Sequence, residues 1–191
     1  MENKNSAFKE FISPILVLVV ICFVTTFLLA FTYGVTAPII AENTAKAASE
    51  ARMELLPDAD NFSPSDANPY ILEDGKVYVE DCYVADNKAG MVVTVKTNSY
   101  GGMLTAMVGI DKDGAITGVK VTDHADTPGV GTKAHDASHL SQYVGLTELT
   151  SDQVKVDTSV QHVTGASVSS GALHKAVYCA LAQFEEMGGV K

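Results

Sequence analysis

From Phe11 to Phe31 the chain carries no charged side chain. At about 1.5 Å per helical residue such a run spans roughly 31 Å, close to the hydrocarbon thickness of a bilayer. Lipid offers no partner to backbone polar groups, so a run of this kind is confined to one structure, a helix that satisfies them internally. The expected span is residues 11–33. A cleaved leader is the alternative, with Val35-Thr36-Ala37 as a tolerable cleavage site, but its apolar region would normally cover only about 7–15 residues. A lipid anchor on Cys22 is set aside because bulky Ile21 precedes it.

Lys4 and Lys9 precede the apolar run, whereas Lys46 and Arg52 lie well beyond it. That bias predicts a short cytoplasmic N-terminus over residues 1–10 and a domain on the far side of the membrane. After Pro38, Ile39 to Leu56 is rich in good helix formers and is expected to continue as a helix that lifts the domain off the membrane until Pro57 stops it. Between Pro57 and Pro69 the composition turns to Asp, Asn, Ser and Pro, the mark of a connector. Residues 34–69 are therefore expected to be a membrane-proximal helix and connector, and 70–191 the domain proper.

The 191 residues leave room for one membrane segment and one domain. The net charge of −10 owes nothing to the first ten residues, so the soluble part is the acidic part. An acidic surface repels phosphate backbones, which excludes nucleic acid as a partner. The three cysteines, Cys22, Cys82 and Cys179, lack the spacing for a zinc ribbon, an iron–sulfur cluster or a c-type haem. Cys82 and Cys179 read as small buried thiols, with a disulfide in an oxidising space as the alternative.

Strands are predicted over Lys76 to Val84, Gly90 to Thr97, Met103 to Asp111 and Ala115 to Thr122, where β-branched residues alternate with small or polar ones. Asp113-Gly114 reads as a hairpin turn. The patterns of Met91 to Val95 and Ile116 to Val121 suggest adjacent antiparallel strands, each with one face on a core. Helices are predicted over Ala134 to Tyr143 and Ser169 to Met187, with a short strand over Val154 to Val156. On the last helix Leu173, Ala176, Val177, Ala180, Leu181 and Phe184 recur at helical spacing. Strands followed by helices without strict alternation make the expected fold α+β, an antiparallel sheet with flanking helices.

Thr164-Gly165-Ala166-Ser167-Val168-Ser169-Ser170 gathers hydroxyls and a glycine where the long helix begins. A helix start exposes unpaired N–H groups and positive partial charge, which suits a phosphate. Its plainer reading is an ordinary N-cap. His124-Ala125-Asp126-Thr127-Pro128-Gly129-Val130-Gly131 is a second conspicuous loop, whose glycines allow close approach to a planar ligand or simply a tight turn. Gly129 to Ala134 fits GxGxxA but lacks a βαβ unit. His135 and His139 stand four apart like the histidines of HExxH, with Asp136 in place of Glu and no suitably spaced third ligand, so a solvated polar helix face is the better reading and no metal is expected. No GxSxG elbow holds a nucleophile, and no catalytic residue is expected.

Taken together these features resemble the G subunit of the Rnf complex, the ion-pumping ferredoxin:NAD oxidoreductase of bacteria and archaea. The single membrane helix is one of them. Tyr100-Gly101-Gly102-Met103-Leu104 through Asp111, continued by Asp113-Gly114 and Ile116 to Val119, looks like that family's glycine-rich lead into a strand. His124 to Gly131 is similar to its tract HxETPGLG, with Asp126 for Glu and Val130 for Leu, and Thr164 to Ser167 is similar to its flavinylation motif DxxSGAT. The same FMN-binding domain occurs in the C subunit of the Na⁺-translocating NADH:quinone reductase.

The resemblance implies an electron-transfer subunit that relays single electrons through FMN, bound covalently as a phosphoester on Ser167 by a flavin transferase. Loops from Gly101 to Leu104, with Gly102 and Met103, and from Asp126 to Gly131, with Thr127, Pro128 and Gly129, would then cover the ring. Thr164, Gly165, Ala166 and Ser169 would surround the phosphate. The implied partners are the other Rnf subunits, the transferase, the lipid bilayer and, through the complex, ferredoxin and NAD. Gln161 stands where the motif has Asp, and Asp157 is a carboxylate nearby in sequence.

Overall fold

The computed structural model describes residues 12–190. The tail expected at residues 1–10 and the first residue of the expected span, Phe11, lie outside the described residues. The first element is one helix, α1, Ser13–Leu55, which runs through Pro38. Contacts divide the chain after Ala47. In the first unit the helix is long and apolar enough to cross a membrane. The hydroxyls of Thr25, Thr32 and Thr36 donate to the carbonyls of Ile21, Leu28 and Thr32 at 2.8–2.9 Å, so these polar side chains are satisfied within the helix itself.

The second unit begins at Ala48 and is built on a sheet. Its strands are β1, Phe62–Pro64; β2, Ile71–Leu72; β3, Val77–Ala85; β4, Gly90–Asn98; β5, Met103–Asp111; and β6, Ile116–His124. The order is β1-β3-β4-β5-β6, all antiparallel, with β2 pairing the other end of β3. Two further helices follow, the short α2, Ala137–Leu140, and the long α3, Ser167–Met187.

Period-2 patterning located the four long strands to within about two residues, and the Asp113-Gly114 turn forms because Asp111 Oδ1 accepts the N–H groups of Asp113 and Ala115, both at 2.9 Å. The expected adjacency of the 91–95 and 116–121 segments does not occur. β5 lies between them. Nor does β4 bury only one face: Met91, Val93 and Val95 enter the core shared with α3, while Val92 enters a second core with Ala51, Leu55, Leu56, Ala59, Ala85 and Met107. A central strand covered on both sides reads as a continuous apolar run.

The end of α1 docks on a flat spot in the sheet. A Cβ on Gly109 would meet the Leu55 carbonyl oxygen at 2.8 Å and Thr117 Oγ1 at 2.5 Å. Thr117 is the extra residue of a β-bulge, and its hydroxyl donates to the Leu55 carbonyl, one of the acceptors a helix end leaves without an intrahelical partner. Arg52 lies over the Tyr83 ring at 4.0 Å, and Lys120 pairs with Glu54.

Two other expectations fail for local reasons. The helix expected over 134–143 is divided into a 3₁₀ turn, Gly131–His135, then α2, then a second 3₁₀ turn, Ser141–Tyr143, because Asp136 is extended at ψ 143°. The strand expected over 154–156 is a turn. The Asp157 carboxylate accepts N–H groups from Thr150 at 2.8 Å, Ser151 at 3.3 Å and Ser159 at 2.7 Å, curling residues 150–159 around one buried side chain in competition with any ladder. The cysteines are free thiols: Cys82 and Cys179 are buried, and burial pushes them up to about 11 and about 12.

Replacing Gly109 by Ala forces a methyl group against backbone and should lower stability to denaturant by about 1–3 kcal/mol. Denaturation of the full chain in detergent measures this, and an unchanged midpoint would contradict the close docking of Leu55.

Candidate functional site

Three stretches far apart in sequence meet at the Asp126 carboxylate, whose side chain is fully buried. Ser99 Oγ donates to Oδ1 at 2.8 Å and to Oδ2 at 2.6 Å, and the Gly101 N–H donates to Oδ1 at 2.9 Å. From α3, Ser169 stands against Asp126 across Gly131. A Cβ on Gly131 would come within 2.9 Å of both Asp126 Cβ and Ser169 Oγ, so only glycine permits this approach. Burial alone would raise the Asp126 pKa, but the hydrogen bonds from Ser99, Gly101 and Ser169, with His135 beside them, outweigh it and hold the carboxyl below its usual range.

Around this clamp lie the residues the sequence singled out. Thr127, Pro128 and Gly129 are exposed. They form a tight turn in which the Thr127 carbonyl accepts from Val130 at 3.2 Å and Gly131 at 3.0 Å. Gly101 and Met103 are exposed and Gly102 half-buried, whereas Leu104 is buried in the core shared with α3. Tyr100, Met103, Val130 and Val168 leave large apolar surfaces open on these loops and on the first turn of α3.

The start of α3 differs from the ordinary N-cap considered for it. Its N-cap is Ala166, with no side-chain hydrogen bond. The Ser170 N–H is taken by the Ala166 carbonyl at 2.9 Å, while the N–H groups of the turn before it have no intrahelical acceptor. Of the hydroxyls in the tract, Ser169 and Ser170 are buried and turned inward, and Ser170 Oγ accepts the Val163 N–H at 3.4 Å. Ser167 is half-buried at the first helical position, and Thr164 and Gly165 are exposed. The tract therefore presents Ser167 beside open helix-start N–H groups, with no side chain within 4 Å of where a Gly165 Cβ would sit.

Sequence reasoning missed two members of the site. Ser99 carried no local signal, because its partner is 27 residues away. His135 and His139 do not form a solvated polar face: His139 is 4% exposed, and the His135 side chain packs with Nε2 3.2 Å from Asp126 Oδ2. No group of three or more potential metal ligands occurs among the described residues. Gln161 is exposed and its N–H donates to Gln142 Oε1 at 2.9 Å. Asp157 cannot stand in for the motif's carboxylate, since its side chain is buried and committed to the 150–159 loop, with His174 Nε2 at 3.8 Å.

Comparison with known proteins gives this arrangement a context. The family described as FMN-binding domain matches residues 99–182, and that described as RnfG N-terminal region matches residues 16–55. The G subunit of an ion-translocating oxidoreductase complex from Methanosarcina acetivorans is 32% identical, over 91% of this chain and 94% of its own. The chain belongs to this G-subunit family. The G subunit of the proton-translocating ferredoxin:NAD(+) oxidoreductase complex of Clostridium ljungdahlii is 29% identical over 91% of each chain. The corresponding G subunit of the Na(+)-translocating complex of Acetobacterium woodii is 29% identical over 90% of each. The crystal structure of Shewanella oneidensis NqrC matches at 19% identity and a TM-score of 0.43, over 56% of this chain and 58% of that one. The matched FMN-binding region of this G-subunit family member contains all three loops joined at Asp126.

Asp126 has a depressed pKa in the folded state, so its stabilisation is complete above the unfolded carboxyl value of about 3.9 and is lost as pH falls through the folded value. Asp126→Asn should therefore cost about 1.5–3 kcal/mol at pH 7. The deficit should shrink toward zero in strong acid. Denaturant titrations at neutral and acidic pH measure it, and a pH-independent deficit would contradict a charged clamp.

Proposed function

We propose that this chain is the electron-transfer subunit of a membrane-bound Rnf-type ion-translocating ferredoxin:NAD oxidoreductase, carrying FMN covalently through a phosphoester on Ser167. The observation that carries the reading is the uncapped start of α3, where open N–H groups and a half-buried serine stand beside the loops gathered at Asp126. That donor set fits a phosphate, and the open apolar side chains of Tyr100, Met103, Val130 and Val168 fit one edge of a planar ring. Bound there, FMN supplies the chemistry of accepting and passing on single electrons.

The protein's own residues bind and orient. Ser167 tethers, Thr164, Gly165 and Ala166 keep the approach small, and Ser169 links the helix start to Asp126. The tether keeps a shallow site loaded where lost flavin would be hard to replace. Residues 1–10 are assigned to the cytoplasm, 11–33 to the span, 34–69 to the membrane-proximal helix and connector, and 70–191 to the flavin domain on the outer side. A flavin transferase loads the chain, the other Rnf subunits deliver and remove electrons, and ferredoxin and NAD act through the complex.

Ser167→Ala should remove the covalent flavin completely, which fluorescence of the denatured chain on a gel detects after co-expression with a transferase. Undiminished fluorescence would reject Ser167. Gln161→Asp restores the motif's carboxylate and should raise the modified fraction at limiting transferase. Intact mass measures that fraction, and no increase would mean that position 161 does not limit loading.

A further inference from the structure

His135 is the buried group in this site whose chemistry the binding role does not use. Its side chain is 9% exposed, and among the described residues neither Nδ1 nor Nε2 has a hydrogen-bond partner. The 3.2 Å approach of Nε2 to Asp126 Oδ2 is an ion-pair distance without hydrogen-bond alignment. Leaving two imidazole nitrogens unpaired inside a protein is costly and calls for a reason. On its other side the exposed His124 ring lies 4.5 Å away, centroid to centroid, and provides contact with solvent.

We propose that His135 is the proton-accepting group coupled to the arrival of an electron on the flavin. This rests on the flavin reading above. When an electron from the upstream redox centre of the complex reduces bound flavin, one proton from a hydronium ion of the solvent would pass by way of His124 to the free imidazole nitrogen of His135. An O–H bond of the hydronium ion breaks to leave water, an N–H bond forms on His135, and with one electron and one proton added the net charge of the site is unchanged. Asp126 is placed to stabilise the resulting imidazolium, and Asp126 is itself joined to α3 through Ser169, two residues beyond Ser167.

The surrounding charges are consistent with a neutral resting state. Burial first, and the His124 ring second, hold the His135 pKa below the ordinary value, against the pull of Asp126 and of Asp136. On its own segment Lys133 is exposed, and His139 is held low by burial and by His174 and His135. Helix α3 contributes Ser169 and His174, the latter engaged with Tyr143 at 3.3 Å and the Ser151 carbonyl at 2.9 Å. An added negative charge nearby shifts this balance toward the imidazolium.

The test uses the full chain in detergent, with flavin loading verified by intact mass, and measures the flavin midpoint potential against pH by spectroelectrochemistry. The reduced state binds the proton more tightly, so the potential should fall as pH rises between the two His135 pKa values. The expected slope is a tenfold change in the couple per pH unit, about 59 mV for one electron. His135→Asn should flatten it, as should His135→Gln. In wild type, NMR of labelled imidazoles should show His135 gaining a proton on reduction at neutral pH, a readout that holds even if both variants fail to fold. A pH-independent wild-type potential, a slope that survives in His135→Asn, or a His135 that stays neutral on reduction overturns the proposal and leaves the flavin reading standing. Absence of flavin on the wild-type chain overturns both.

Discussion

A carboxylate removed from water costs far more than it returns unless donors surround it, and this domain is organised about one that is surrounded. Asp126 draws Ser99 and Gly101 from the loop between β4 and β5, Ser169 from the first turn of α3, and His135 from the 3₁₀ segment. The Ser99, Gly101 and Ser169 donors would otherwise need partners of their own, whereas the His135 imidazole lies against the carboxylate without a hydrogen bond. Because Gly131 alone separates Asp126 from Ser169, the loop and helix are in near contact, and the position of Ser167 follows from that of Asp126.

The same economy recurs at the opposite face of the sheet and in the loop before α3. The Leu55 carbonyl at the end of α1 is satisfied by Thr117, a bulge residue of β6, and Gly109 gives it room. Asp157 closes the loop over 150–159 with three backbone N–H groups, and His174 fastens that loop to α3 through the Ser151 carbonyl. Helix α3 is thus fixed in depth by its apolar face on the sheet and along its length by polar side chains at its start. The membrane-crossing part of α1 and the flavin-binding region are matched by separate families, consistent with a division of labour between anchor and carrier.

Much of this fold was legible because two local patterns are strong. Strands β3 to β6 are rich in β-branched residues, with β4 a nearly continuous apolar run, and the α3 face through Leu173, Ala176, Val177, Ala180 and Leu181 repeats at helical spacing and is buried. Pairing was less legible, since nothing local in Met91 to Val95 tells which strand lies beside it. The 131–160 region departs from the expected helix and strand for physical reasons: Asp136 is extended and divides the helix, and the Asp157 side chain bonds to backbone N–H groups of its own loop, and neither leaves a periodic trace. Loop motifs pointed to Asp126, Gly131 and the 164–167 tract, yet not to Ser99, whose role exists only once β4 and β6 have brought position 99 to position 126. The imidazole of His135 was read as solvent-facing because spacing alone cannot distinguish a polar face from a buried cluster.

Everything proposed for this domain depends on a flavin phosphate attached at the start of α3, at Ser167 and not at the neighbouring hydroxyls. The decisive measurement is the intact mass of the wild-type chain, expressed in membranes with a flavin transferase, followed by fragment mapping of residues 160–175. One phosphoester-linked FMN per chain, located on Ser167, is expected. An unmodified chain, with the transferase active on a control substrate, or an adduct on Thr164, Ser169 or Ser170, would refute the attachment.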